Sequence, residues 1–243
     1  MMTELFLFIS IGFVAQLIDG CLGMAYGVFS TSTLITMGIP LSAASASVHF
    51  SEIFTTFASG FAHLKFKNAD IPLLKKLAIP GIIGGMIGAY FLCSIQSNIL
   101  KKVIAIYLLI LGVRILVLAY KTNKRQPQTK SVPVLGFLGG FFDALGGGGW
   151  GPIVNTTLIA QGNSPKRTIG TACIAEFFVT AAQSMMFFSL IGLYHWKIVC
   201  GLIIGGVCAA PLSAYVCKKI HTKPLMLIVA VVIIFMNLFS LSF

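Results

Sequence analysis

The sequence predicts an all-α polytopic membrane protein of two inverted repeats, each a re-entrant or broken-helix hairpin followed by three transmembrane helices. Three observations predict this fold. Of the 243 residues, 57% are hydrophobic and only 9% are charged, which is far less charge than a soluble domain carries. Apolar stretches of about 20 residues, long enough to span a bilayer, recur along the chain. An acid–glycine motif also occurs twice, once in each half.

The two halves match at a fixed offset of 124 positions. Asp19–Gly27 in the first half corresponds to Asp143–Gly151 in the second, and Glu52 corresponds to Glu176. A duplicated break within apolar segments is typical of transporters whose site lies between two repeats. The predicted organisation is a first transmembrane repeat over 1–120, a cytoplasmic linker over 121–131 and a second transmembrane repeat over 132–243.

Each repeat begins with a stretch that is too long for one span, 4–38 in the first half and 132–162 in the second. Because the Asp-Gly motif interrupts both, we expect pairs of half-length helices. Residues 4–18 would measure about 22 Å, which passes mid-bilayer without crossing it. The three predicted spans of each half are Leu41–His63, Ile71–Ser94 and Ile99–Tyr120, then Arg167–Ile191, Trp196–Cys217 and Pro224–Phe243.

The basic residues predict the orientation. If each broken stretch is a hairpin, 13 Lys and Arg residues fall on the side of the linker and 3 on the other side. Since basic loops stay in the cytoplasm, we expect a multi-pass protein of the cell (inner or plasma) membrane with both termini outside. If each stretch were a single crossing, Lys166 and Arg167 would lie outside. Topology thus explains the net charge of +11, and no nucleic acid partner is predicted.

Four of the six carboxyl groups lie within apolar segments. Each costs about 2.5–3.5 kcal/mol at the centre of a membrane helix, so each needs a partner or a function. The two aspartates could cap half-helices by accepting backbone N–H bonds, or a desolvated acid could carry a proton. His49 has no counterpart in the second half and could titrate or simply be satisfied inside the bundle. The proton-coupling candidates are Asp19, His49, Glu52, Asp143 and Glu176.

The glycine-rich breaks predict an anion site. Four consecutive glycines, Gly146–Gly149, cannot form an ordinary helix, and the half-helix that begins near Pro152 directs its positive end and free N–H groups at the break. Hydroxyl and amide side chains follow each break. Tight helix crossing is the alternative explanation for these glycines. The candidate substrate-binding residues are Gly23, Tyr26, Gly27, Thr31, Gly147, Gly148, Gly149, Trp150, Gly151, Asn155, Thr156 and Gln183.

Other patterns indicate structure rather than chemistry. Glycines within 81–88 and 201–206 form small-x-x-x-small runs, which predict close helix packing. The six cysteines include no C-x-x-C pair and are interpreted as small apolar residues. No nucleophile–base or metal-ligand spacing occurs. We therefore predict no cofactor, no metal site and no enzymatic activity.

The second break resembles the TauE/SafE family of membrane permeases, which are exporters linked to sulfite and organosulfonate metabolism. The resemblance is carried by Gly147-Gly-Gly-Trp-Gly-Pro152, followed by Leu158, Gly162 and Gly170-Thr-Ala172. The first half repeats this pattern with Met24 and Ala25 in place of two glycines and Tyr26 in place of the tryptophan. The resemblance implies proton-coupled export of a small sulfur-containing anion by alternating access, with the anion, protons and the lipid bilayer as partners. A passive anion channel and an importer of another small anion are the alternatives, and a homodimer is left open.

Overall fold

The computed structural model describes residues 2–65, 67–95, 98–120, 131–192, 195–217 and 222–242, and its regular structure in those ranges is entirely helical. Apart from Ser131, the predicted linker lies outside the described residues. The helices are α1 Met2–Leu22, α2 Tyr26–Thr36, α3 Leu41–Lys65, α4 Ile71–Ser94, α5 Asn98–Tyr120 and α6 Val132–Gly146, then a π-helical turn Gly151–Asn155 that continues into α7 Thr156–Ala160, α8 Pro165–Ile191, α9 Trp196–Cys217 and α10 Thr222–Ser242.

The six predicted spans are confirmed as helices α3–α5 and α8–α10, with ends within two residues of the predicted ones. By length and composition, four stretches of the described residues could cross a membrane: Thr3–Gly20, Ile71–Ser94, Lys102–Tyr120 and Arg167–Ile191. Shorter apolar stretches lie in α6, α9 and α10. Helix α3 is long enough but less apolar, because it carries the polar face on which Glu52 lies.

Both predicted breaks are present. Helix α1 ends at Leu22 and α2 begins at Tyr26, while α6 ends at Gly146 and the π-helical turn begins at Gly151. The equivalent residues Gly23 and Gly147 have φ values of 64° and 62°. Glycine adopts this left-handed conformation without steric cost, so the chain can leave the helix at the same point in each half.

The predicted length of the first helix is wrong. Helix α1 has 21 residues, about 32 Å, which is as long as a full span rather than a half-length helix. The helix begins at Met2 and accommodates Gly20 in its interior, so it ends only where Gly23 takes a positive φ. Its counterpart α6 has 15 residues, the length expected of a half-helix.

The first helix of each half packs on a helix of the other half. Helix α1 packs on α9 and α6 packs on α4, and the other main pairs are α3 with α8, α4 with α8 and α5 with α10. The backbones approach closely at glycines: a Cβ added at Gly12 would lie 2.7 Å from Leu202 Cα, and one at the equivalent Gly136 would lie 3.1 Å from Leu77 Cα. The predicted close packing of glycine-rich faces is confirmed, since Gly84 and Gly201 lie equally close to Phe137 and Phe8.

Gly136→Ala is expected to lower the stability of the protein by about 1–3 kcal/mol, the usual cost of overpacking. The added methyl group would lie 2.6 Å from the carbonyl oxygen of Leu77, and backbone cannot rotate away. Gly60→Ala is the matched control, because its methyl group would meet nothing closer than Ile174 Cγ1 at 3.4 Å, an ordinary van der Waals contact. Thermal unfolding in detergent measures both; equal Tm values for the two variants would contradict the packing described here.

The distribution of side chains is that of a membrane protein. His49, Asn155 and Gln183 are fully buried, whereas Ile99 and Phe235 are 75% and 71% exposed. Polar groups face the interior and large apolar groups face outward, as expected where the surroundings are hydrocarbon. The interior polar groups converge where the two breaks meet.

Candidate functional site

The two breaks contact each other directly. A Cβ added at Gly27 would lie 2.6 Å from both Gly147 O and Gly148 Cα. Thr31 Oγ1 donates a hydrogen bond to Gly147 O at 2.7 Å, and Asn155 Nδ2 donates one to Gly23 O at 2.5 Å. Thr31 is equivalent to Asn155 and Gly23 to Gly147 at the 124-residue offset. The two hydrogen bonds, called the cross-ties below, are therefore equivalent contacts made once from each half.

An aspartate caps the helix that follows each break. Asp19 Oδ1 accepts the N–H of Tyr26 at 3.4 Å, and Asp143 Oδ1 accepts that of Trp150 at 2.9 Å. The capping alternative is thereby confirmed for both aspartates, and a carboxylate is stabilised at such a helix N-terminus.

Each aspartate accepts only one backbone N–H, so other N–H groups at the start of each helix have no acceptor within the helix. The N–H groups of Gly27, Val28 and Gly151 belong to the first turns, where a helix provides no internal acceptor. All three residues line one cavity. Residues from the first turns of two helices therefore line the same small space.

This cavity lies between the breaks and is small. The centre of a water-sized sphere can occupy about 10 Å³ of it, room for about one water molecule. A larger ligand needs the breaks to separate. The lining residues are Asp19, Met24, Ala25, Tyr26, Gly27, Val28, Glu52, Thr55, Thr56, Asp143, Gly148, Gly149, Gly151, Pro152 and Glu176.

Nine of the residues singled out from the sequence line the cavity together. They are the substrate candidates Tyr26, Gly27, Gly148, Gly149 and Gly151 and the proton-coupling candidates Asp19, Glu52, Asp143 and Glu176. Gly23, Thr31, Gly147 and Asn155 lie one layer behind, in the cross-ties.

The three other substrate candidates also lie outside the lining. The indole of Trp150 points away and donates to Ala172 O at 3.1 Å. Gln183 Nε2 donates to Gly140 O at 3.0 Å and to Asp143 Oδ2 at 3.2 Å, so it orients that carboxylate. Thr156 Oγ1 bonds to Pro152 O and holds the π-helical turn, a form found frequently at functional sites.

His49 joins two acids of the site. Its Nδ1 lies 3.0 Å from Glu52 Oε2 and 3.8 Å from Asp143 Oδ2, and its Nε2 lies 3.2 Å from the backbone oxygen of Asp143. Its ring stacks on Phe187 with 6.0 Å between centroids. The histidine is completely buried and lies behind Glu52 as seen from the cavity.

Sequence reasoning missed two supports of the breaks. Arg114 of α5 donates from Nε to Thr156 Oγ1 at 3.0 Å and from Nη2 to Thr157 Oγ1 at 2.7 Å. In the other half, Asn237 of α10 donates to Ser32 Oγ at 3.0 Å. Ser32 and Thr156 are equivalent at the 124-residue offset, so that offset was the one signal that could have paired these supports.

The cavity is acidic. Four carboxyl groups line it, and the lining that the structure describes includes no Lys or Arg. Acids that share so small a space repel one another when they are ionised. An ionised acid beside the backbone donors would repel an anion that approaches them.

Comparison with known proteins gives one family. The model of the family described as sulfite exporter TauE/SafE matches residues 8–240. A probable membrane transporter protein of Bacillus subtilis, YtnM, is 40% identical over 246 residues, which cover 97% of this chain and 82% of that protein. Probable membrane transporter proteins of B. subtilis, YunE, and of Haemophilus influenzae are 23% and 24% identical over 92% of this chain. No solved structure matches the chain.

Proposed function

We propose that this chain, which belongs to the TauE/SafE family, exports a small sulfur-containing anion of the sulfite or organosulfonate class by alternating access, coupled to protons. Family and relatives make it a membrane transporter of the TauE/SafE type. The observation that carries the proposal is the pair of breaks, whose first-turn residues, which carry the free N–H groups, line one cavity. Donors of this kind bind oxyanions without a dedicated cation.

The inverted orientation of the repeats is part of the proposal. In the first half, Glu4 at the start of α1 pairs with Lys197 at the start of α9, with 3.0 Å between Oε2 and Nζ. Ser32, towards the end of α2, bonds to Asn237 near the end of α10. Only four residues connect α9 to α10, and short connections join antiparallel helices. These contacts support a hairpin, α1–α2, that enters and leaves at one end of the bundle.

The second half supports the opposite opening. Gly136 of α6 packs beside Leu77 in the first turns of α4, and Thr157 of α7 bonds to Arg114 towards the end of α5. Helices α4 and α5 are also joined by a short connection, so this hairpin opens at the end where α4 begins. Helix α3 runs between the two ends, which makes the openings opposite. With basic loops in the cytoplasm, both termini are outside.

The small cavity fits a carrier better than a channel. A channel needs a continuous path, whereas here two ties and a backbone contact hold the breaks together around room for about one water. Because the ties are equivalent in the two halves, the site can open towards either side by separating one hairpin from its neighbours. Alternating access in inverted repeats uses this symmetry.

Counterflow of radiolabelled sulfite in proteoliposomes tests the proposal. A carrier loaded with unlabelled sulfite accumulates the label transiently, because one site returns loaded. A channel only equilibrates the label, and its reversal potential is independent of pH. Absence of any protein-dependent sulfite flux would remove sulfite as cargo, and sulfate, thiosulfate and a sulfonate are the next anions to assay in the same vesicles.

Thr31→Val is expected to slow counterflow about tenfold. The substitution keeps the shape but leaves Gly147 O without its donor, and an unpaired buried acceptor costs about 1–3 kcal/mol. Thr33→Val is the matched control on the same helix, because Thr33 Oγ1 bonds to Phe29 O at 2.8 Å and to Met236 Sδ of α10 at 3.6 Å, away from the opposite break. Equal initial rates for the two variants would show that the cross-tie has no part in transport.

A further inference from the structure

We infer that His49 and Glu52 share one proton at rest and bind a second one together with the anion, so that anion and proton cross the membrane in the same direction. This deepens the carrier function proposed above and rests on it. The evidence is the hydrogen bonding of a buried histidine that the second repeat does not have.

The partners of the His49 ring determine how many protons it holds. Nε2 lies 3.2 Å from the backbone oxygen of Asp143, which can only accept, so Nε2 carries a hydrogen. Nδ1 lies 3.0 Å from Glu52 Oε2, and one hydrogen must lie between these atoms. It belongs either to an imidazolium facing a carboxylate or to a carboxylic acid facing a neutral ring. In both cases the pair holds one transferable proton and is neutral overall.

The acids around the pair favour a second proton when they are ionised. Asp143 of α6 lies 3.8 Å from Nδ1 through its Oδ2. Asp19 of α1 and Glu176 of α8 line the same cavity, and Tyr26 of α2 bonds through its hydroxyl to Ser51. Three acids and no described Lys or Arg thus face the pair, so an imidazolium at His49 has an acidic surrounding even when Glu52 is neutral.

Glu52 lies where an anion would bind. A Cβ added at Gly27 would be 3.0 Å from Glu52 Oε1, so the carboxyl group lies against the helix N-terminus that carries the free donors. An ionised Glu52 would repel an anion at that position. With two protons the pair consists of an imidazolium, which neutralises the charge of the anion, and a carboxylic acid, whose O–H can turn from His49 to donate to it.

The cycle balances with one proton per anion. One proton from the loading side binds to the pair with the anion, and both leave on the other side, where the pair keeps its resting proton.

The second repeat cannot do the same, because Cys173 stands at the position equivalent to His49, three residues before Glu176. Because one pair carries one proton with each anion, the sum of the anion and proton gradients sets the direction of transport. A large outward anion gradient then drives export.

The test combines counterflow with accumulation driven by a pH difference, using radiolabelled sulfite in proteoliposomes with no membrane potential. For the wild type, one proton per monovalent anion predicts about tenfold accumulation per unit of pH difference. Glu52→Gln keeps a donor towards Nδ1 and mimics the protonated acid; because Glu52 also lies at the anion position, its counterflow rate is expected to change, but accumulation should fall by a much larger factor than counterflow. His49→Gln keeps a donor towards Asp143 O and is expected to lose accumulation as well. His195→Gln, at the start of α9, is the matched control that retains both.

The outcomes separate this inference from the carrier function. Wild type without counterflow removes the proposed function. Wild type with counterflow but no response to the pH difference removes the coupling alone. Accumulation that persists in Glu52→Gln shows that the proton travels on bisulfite itself or on another acid, which overturns the assignment to this pair. If a variant fails to fold, nitrogen NMR of labelled histidine in the wild type decides, because an Nδ1 that shares no proton excludes the pair.

Discussion

Replacing Gly148 by alanine is expected to lower sulfite counterflow about 100-fold or more. The added methyl group would overlap the backbone of Gly27 and Val28 in the opposite break. No side chain is available there to move aside, so the two breaks must separate by about 1 Å. A displacement of that size lowers a rate about 100-fold where groups must be positioned closely. Binding donors on the two sides would then no longer converge on one ligand.

Gly149→Ala is the graded comparison for this prediction. Its methyl group would meet the hydroxyl end of Tyr107 and would lie 3.2 Å from the backbone nitrogen of Asp143. A side-chain end can shift, so a loss of less than about tenfold is expected by the same positioning argument. If both alanine variants lose transport equally, the contact between Gly27 and Gly148 is not the critical one. Transport would then require a glycine at each of these positions of the break.

The hydropathy pattern predicted the spans well because bilayer thickness dictates helix length. Helices α4 and α9 have the predicted bounds, and both breaks lie where glycines follow an aspartate. The length of α1 was mispredicted because Gly20 looks like part of the break, whereas a single glycine is tolerated inside a packed helix. The backbone leaves the helix only at Gly23.

Only those site residues that have an equivalent in the other half could be predicted to lie together. The offset brought the acids and glycines of the two halves together, and four acids and four glycines of the predicted set line one cavity with Tyr26. The contact of His49 with the Asp143 backbone spans 94 residues and has no counterpart in the other half, so no periodicity could reveal it. The direction of the Trp150 indole was also not predictable from the motif, because it is set by the hydrogen bond to Ala172 O in α8.

The acids make the anion site conditional on protons, and this reconciles two features that the sequence left in conflict. Backbone donors favour an anion at the breaks, whereas Glu52 and Asp143 beside them oppose it. Asp143 already occupies one donor, the N–H of Trp150, and so serves as the built-in anion of that helix. The visiting anion is left with the donors of Gly27, Val28 and Gly151, next to the acid that a proton can neutralise.

Asp143→Ala and Asp143→Asn are expected to separate capping from charge. Alanine leaves the buried N–H of Trp150 without an acceptor, at a cost of about 1–3 kcal/mol, so thermal unfolding in detergent should show a lower Tm. Asparagine keeps an oxygen for that N–H, and a flip of the Gln183 amide lets its Oε1 accept from the new amide in exchange for the Nε2 bond to Gly140 O. We therefore expect the asparagine variant to unfold close to the wild-type temperature.

Charge is what the asparagine variant lacks. Without the carboxylate 3.8 Å from His49 Nδ1, an imidazolium loses its nearest counter-charge beyond Glu52 and the second proton is not bound. Sulfite accumulation driven by a pH difference should therefore disappear in Asp143→Asn while counterflow continues. Accumulation at the wild-type level would reduce Asp143 to a helix cap. A Tm as low as that of the alanine variant would mean instead that the carboxylate charge, not its oxygen, holds the break in place.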